Sequence, residues 1–83
     1  MKTVKDINYS FNHVNKRLAE RFGLSISWKE YTDLNAKLKI NKSDVILIEQ
    51  QKQEIHKIKF KETTVNFVYS INRDWITTAL KWE

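Results

Sequence analysis

An α+β domain, with two N-terminal helices packed on a four-stranded antiparallel sheet in a single two-layer unit, is the fold that this sequence predicts. Three observations lead there. Apolar residues recur at helical spacing through the first half of the chain and at strand spacing from Asp44 onward, and that separation segregates helices to one side of a sheet. The 83 residues include one glycine, no proline and no repeat, so no internal boundary is marked and residues 1–83 read as one domain. Surface scaling leaves roughly 5,200 Å2 outside for a folded chain of this mass, against about 14,500 Å2 when extended, which is enough burial for one modest core and no more.

The first helix is carried by Phe11, Val14, Leu18 and Phe22, whose spacings of three and four make one buried stripe. Ser10 is placed to cap its start, and Gly23 to supply the left-handed residue that stops it. A second helix is announced by Ser27 and Glu30, which have the spacing of a capping box, flanked by Ile26 and Tyr31 as a hydrophobic staple. Tyr31, Leu34 and Leu38 form its stripe. Strands follow near 44–50, 54–60, 64–71 and 75–81, where Val, Ile, Phe and Tyr alternate with polar residues. Ile58 and Phe60 are expected on one face of the second strand, and Val65, Phe67, Tyr69 and Ile71 on one face of the third. Asn72-Arg73-Asp74 is the clearest reversal between strands.

Composition narrows the function. With no cysteine there is no disulfide framework, no thiolate metal site and no thiol nucleophile. The longest purely apolar run is Val45 to Ile48, far short of the roughly 18 residues of a membrane-spanning helix, so no membrane role is expected. The opening Met1-Lys2-Thr3-Val4-Lys5-Asp6 lacks the apolar centre of a signal peptide, and a cytoplasmic location follows as an expectation. Fifteen Lys and Arg against ten Asp and Glu give a net charge of +5. That balance favours an anionic partner, RNA or another nucleic acid or a nucleotide first and a protein partner second, with a charge that serves solubility alone as the third alternative. No phosphate loop, dinucleotide fingerprint, zincin motif or EF-hand loop occurs, so neither a cofactor nor a metal is expected.

The pattern that carries chemistry lies in the first helix. His13, Arg17 and Arg21 are four apart and form a ridge that spirals from the helix–sheet border toward solvent. Arginines at i and i+4 repel slightly, so helix formation does not select them, whereas two guanidinium forks can hold phosphate oxygens beside an imidazole that exchanges a proton near neutral pH. The alternative is that Glu20 neutralises Arg17 and the long side chains cover the helix edge. Lys57, Lys59 and Lys61 point to the sheet face opposite Ile58 and can track a phosphate backbone or simply solvate that face. His56 falls with Ile58 and Phe60 on the core side. The aromatic residues Tyr9, Trp28, Tyr31, Tyr69, Trp75 and Trp82 fill the core or stack on exposed bases.

The segment His13 to Leu24, with Asn66-Phe67-Val68-Tyr69 and Trp75-Ile76-Thr77-Thr78-Ala79-Leu80, resembles small members of the barnase and RelE-like ribonuclease superfamily. That resemblance implies a toxin-like or phage-encoded, metal-independent endoribonuclease. It puts His13 in the role of proton carrier, Arg17 and Arg21 on the phosphoryl oxygens, and Thr78 in the final strand under the helix as the phosphate-orienting hydroxyl. The competing reading is a noncatalytic nucleic-acid-binding or host-protein-binding module, monomeric or weakly self-associating.

Overall fold

The computed structural model describes residues 4–40, 45–49 and 52–81, with side chains for 6–40 and 52–81. Two helices, α1 (Val4–Phe22) and α2 (Trp28–Ile40), precede four strands, β1 (Val45–Glu49), β2 (Gln53–Phe60), β3 (Thr63–Ser70) and β4 (Trp75–Leu80). The strands run antiparallel in sequence order.

The expected packing of both helices on a four-stranded sheet is corrected: they pack on a three-stranded antiparallel unit. The described core joins Val14, Leu18, Ile26, Tyr31 and Leu38 to Ile58 of β2, Val65, Phe67 and Tyr69 of β3, and Trp75, Ile76 and Ala79 of β4. β1 pairs with β2 alone, at the far edge, with a register shift between Val45 and Leu47. The physical reason is that the helix layer is displaced toward the opposite edge. Among the described strands β4 has a neighbour on one side only, and α2 holds its open main chain: Ile76 N–H donates to Asn35 Oδ1 at 2.7 Å and Ile76 C=O accepts from the Tyr31 hydroxyl at 2.6 Å. A buried edge whose polar groups were left unpaired would be destabilising, and these side chains take the place of a fifth strand.

Helix α1 begins seven residues earlier than a cap at Ser10 would allow. Ile7 extends the apolar stripe by one turn, Asp6 suits the first turn, and Ser10 is buried inside the helix, where its Oγ accepts from Trp75 Nε1 at 3.0 Å. The far end is as expected. Gly23 has φ +67°, its N–H donates to Ala19 C=O, and Leu24 N–H donates to Leu18 C=O. The capping box also forms: Ser27 N–H donates to Glu30 Oε1 at 2.8 Å, and Glu30 N–H to Ser27 Oγ at 3.1 Å. Between the helices, the Asn15 amide bonds both main-chain groups of Ile26, at 2.7 and 3.0 Å, and fixes how the connection leaves α1.

Ile58 shares the helix-facing side with Val65, Phe67 and Tyr69, as the alternation requires, while Phe60 packs partly buried against Phe67. Ile71 leaves that face because the strand ends at Ser70; it sits in the turn through Asp74, which adopts φ 62° and donates its N–H to Ser70 C=O. Trp82, Asp44 and Gln50, the remaining limits of the expected strands and aromatic set, lie outside the described residues.

Candidate nucleic-acid interface

Helix α1 carries one ridge of side chains at four-residue intervals, and each is held differently. Arg21 lies at the border with the sheet, where a guanidinium N–H donates to Ala79 C=O at 2.7 Å. This bond ties the end of α1 to the same β4 edge that α2 caps. One turn back, Arg17 donates to Glu20 Oε1 at 2.8 Å, a half-exposed pair that uses one of five guanidinium donors. His13 is half-buried, and its ring stacks on Tyr9 with centroids 6.4 Å apart and planes 14° from parallel. Tyr9 is 72% exposed. Lys16 and Asn12 are exposed beside this row. The spiral from border to solvent is the one that helical geometry predicts, and it continues one turn further than His13.

His13 senses the charge of this flank. Its pKa is lowered from 6.5, first by burial and then by Arg17, Lys16 and Arg21, with Glu20 opposing. The imidazole is therefore neutral and able to accept a proton at pH 7, in a region of positive potential.

Thr78 does not join the ridge. Residues opposed across a ladder share a face, and neighbours along a strand alternate. Ala79 opposes Phe67 on the helix-facing side, so Thr78, opposite Val68, belongs to the other face. Thr77 sits at the register shift between Val68 and Tyr69, with its hydroxyl 3.4 Å from Val68 C=O. The convergence of His13, Arg17, Arg21 and Thr78 on one patch is thus corrected: β4 does run beside α1, but the threonine projects through the far side of the sheet.

The three lysines separate in the same way. Lys57 and Lys59 are exposed on β2, opposite Asn66 and Thr64, on the face away from the helices. Lys61 departs from the expected open face. It occupies the β2–β3 turn at φ 49°, its ammonium donates to Ser25 C=O at 2.6 Å, lies 3.6 Å from Glu30 and covers the Phe60 ring. It latches the hairpin to the α1–α2 connection.

His56 is fully buried on the helix-facing side of β2, where alternation puts it. Its Nε2 lies 3.0 Å from Glu54 Oε1 and its ring meets Tyr69 edge-on at 6.1 Å. The Tyr69 hydroxyl is pushed up to about 12, first by burial and then by Asp74 and Glu54. The spacing of two between Glu54 and His56 signals this pair once the strand is recognised, but its burial keeps it from a macromolecular ligand. A surface groove of about 280 Å3 lies along α2, with Leu34 and Phe60 rimmed by Glu30, Asp33 and Lys37. Among the described residues, no group of three or more His, Cys, Asp or Glu is arranged to hold a metal ion, and no helix is long and apolar enough to cross a membrane.

Tyr9 continues the ridge although the sequence pattern assigned it only to the aromatic set; its place four residues before His13 was the available signal. No family model matches this chain, and neither a curated protein nor a solved structure matches it significantly.

Proposed function

We propose that this domain binds nucleic acid through the outward ridge of α1 without cleaving it. The observation that carries this reading is the row His13, Arg17 and Arg21 with Lys16 alongside, a cationic flank opposed locally by Glu20. Guanidinium and ammonium groups on one exposed helix flank suit phosphate oxygens, and the net charge of +5 adds a long-range attraction. Arg21 serves mainly to anchor the helix through Ala79 C=O, leaving Arg17 and Lys16 as the principal phosphate contacts. The Arg17–Glu20 pair is exposed and opens at little cost when a phosphate competes for the guanidinium.

RNA cleavage is the second reading, and one feature favours it: burial and the neighbouring Arg17, Lys16 and Arg21 lower the His13 pKa, which favours the neutral imidazole that can accept a proton. A hydroxyl from Thr78 does not support it, because that residue lies on the other face of the sheet.

A single titration separates the readings. Labelled RNA incubated with the protein in EDTA should remain intact and bind with an affinity that falls as salt rises, with a log–log slope of about −0.7 for each phosphate contacted on a single strand. Arg17→Ala should reduce that slope by about one contact. Formation of a 2′,3′-cyclic phosphate end that is lost in His13→Ala would replace this reading with the ribonuclease one. Absence of binding at low salt would reject both and leave a protein partner.

A further inference from the structure

We propose that the Tyr9–His13 stack is a base-stacking platform, which makes single-stranded nucleic acid, rather than duplex, the ligand of the α1 ridge. This rests on the nucleic-acid reading above and names the ligand class within it. Tyr9 is a large ring that the fold does not bury, at 72% exposed. Trp28, at 44% exposed, is by contrast packed on Phe11 and Tyr31 at 5.2 and 5.9 Å. Of the exposed aromatics described, Tyr9 is the one aligned with the cationic row.

The near-parallel placement of the Tyr9 and His13 rings, with centroids 6.4 Å apart and one helical turn between them, sets two aromatic faces side by side on the ridge. An aromatic face accepts any base, but only one whose own face is open. The bases inside a duplex are stacked on their neighbours, so a duplex can offer this ridge its phosphates and not its base faces. Tyr9 and Arg17 stand two turns apart, about 12 Å along the axis at 1.5 Å per residue. A flexible strand can lay one base on Tyr9 and bring a neighbouring phosphate to Arg17 and Lys16. Asn12, exposed between them, can donate to or accept from a base edge.

The test measures fluorescence anisotropy of a labelled, non-self-complementary RNA oligonucleotide, alone and annealed to its complement, with the full chain and with Tyr9→Ala, Tyr9→Phe and Arg17→Ala. Tyr9 is exposed, so Tyr9→Ala should leave the fold intact, and a thermal melt checks this. The single strand should bind more tightly than the duplex. Tyr9→Ala should weaken single-strand binding by about 5- to 150-fold, the equivalent of about 1–3 kcal/mol for one stacked base, without changing duplex binding, and Tyr9→Phe should retain most of the affinity. Arg17→Ala should weaken both. Equal binding of strand and duplex, with Tyr9→Ala neutral and Arg17→Ala still damaging, overturns the platform and leaves the nucleic-acid reading standing. Absence of binding to either probe at low salt overturns that reading itself.

Discussion

Ile76 shows how single side chains decide the architecture. Its N–H and C=O face away from β3, and Asn35 and Tyr31 satisfy both. Asn35→Leu keeps the branching at Cγ but leaves a buried N–H unpaired, and should cost about 1–3 kcal/mol in urea unfolding. Tyr31→Phe should cost about 0.5–1.5 kcal/mol and also change the alkaline limb of stability. Burial pushes the Tyr31 hydroxyl up to about 12, with a bond involving Asn35 acting in the opposite direction. The unfolded chain releases this proton near pH 10. The contribution of Tyr31 is therefore complete below pH 10 and is lost as pH climbs toward 12, so Tyr31→Phe should flatten that decline, leaving the part due to Tyr69. None of this was legible beforehand. An asparagine inside a helical pattern reads as solvent-facing until the strand edge opposite it is known, whereas Gly23 and the Ser27–Glu30 box were legible because their partners lie within a few residues.

At the scale of elements, α1 is both the main cover of β4 and the carrier of the ridge. Its inner stripe was read from spacing alone, but its start was not: Ser10 has the chemistry of a cap, and only the distant Trp75 indole explains why it is buried inside the helix. The order of the ridge, from Arg21 at the border to Tyr9 in solvent, follows from helical geometry, so its direction was readable where its anchoring to Ala79 was not. The position of His13 gives the helix a pH signature. Burial, Arg17, Lys16 and Arg21 disfavour its charged form, Glu20 favours it, and the Tyr9 ring lies beside it. A bound phosphate adds negative charge and raises the pKa, so binding should strengthen as pH falls through the range in which His13 takes up its proton. Stability moves the opposite way. The folded pKa is the lower one, so the unfolded chain takes up the proton first and His13 subtracts stability as pH drops through 6.5. His13→Gln should abolish both trends while leaving the salt dependence of binding in place, as anisotropy and urea melts at matched pH values would record.

For the whole molecule, the division into a helical half and a sheet half was legible because two different periodicities meet once in the chain, and the antiparallel strand order followed from short connections. The displacement of the helix layer toward β4 was not, since it depends on Tyr31, Asn35 and Arg21 reaching main-chain groups 41 to 58 residues away. That displacement has a functional consequence. It puts the α1 ridge beside the β4 edge on one side of the sheet, while Lys57 and Lys59 remain on β2 on the other. One short strand of nucleic acid cannot reach both surfaces at once, so under the proposed function the two cationic regions are alternative locations for the contact. The most direct measurement is a residue-resolved NMR titration of the full chain with a short single-stranded RNA. Shift changes should concentrate on Tyr9, Asn12, His13, Lys16 and Arg17, with Lys57 and Lys59 little affected. Changes centred on Lys57 and Lys59, with Tyr9 and Arg17 silent, would place the contact on β2 and overturn the assignment to α1.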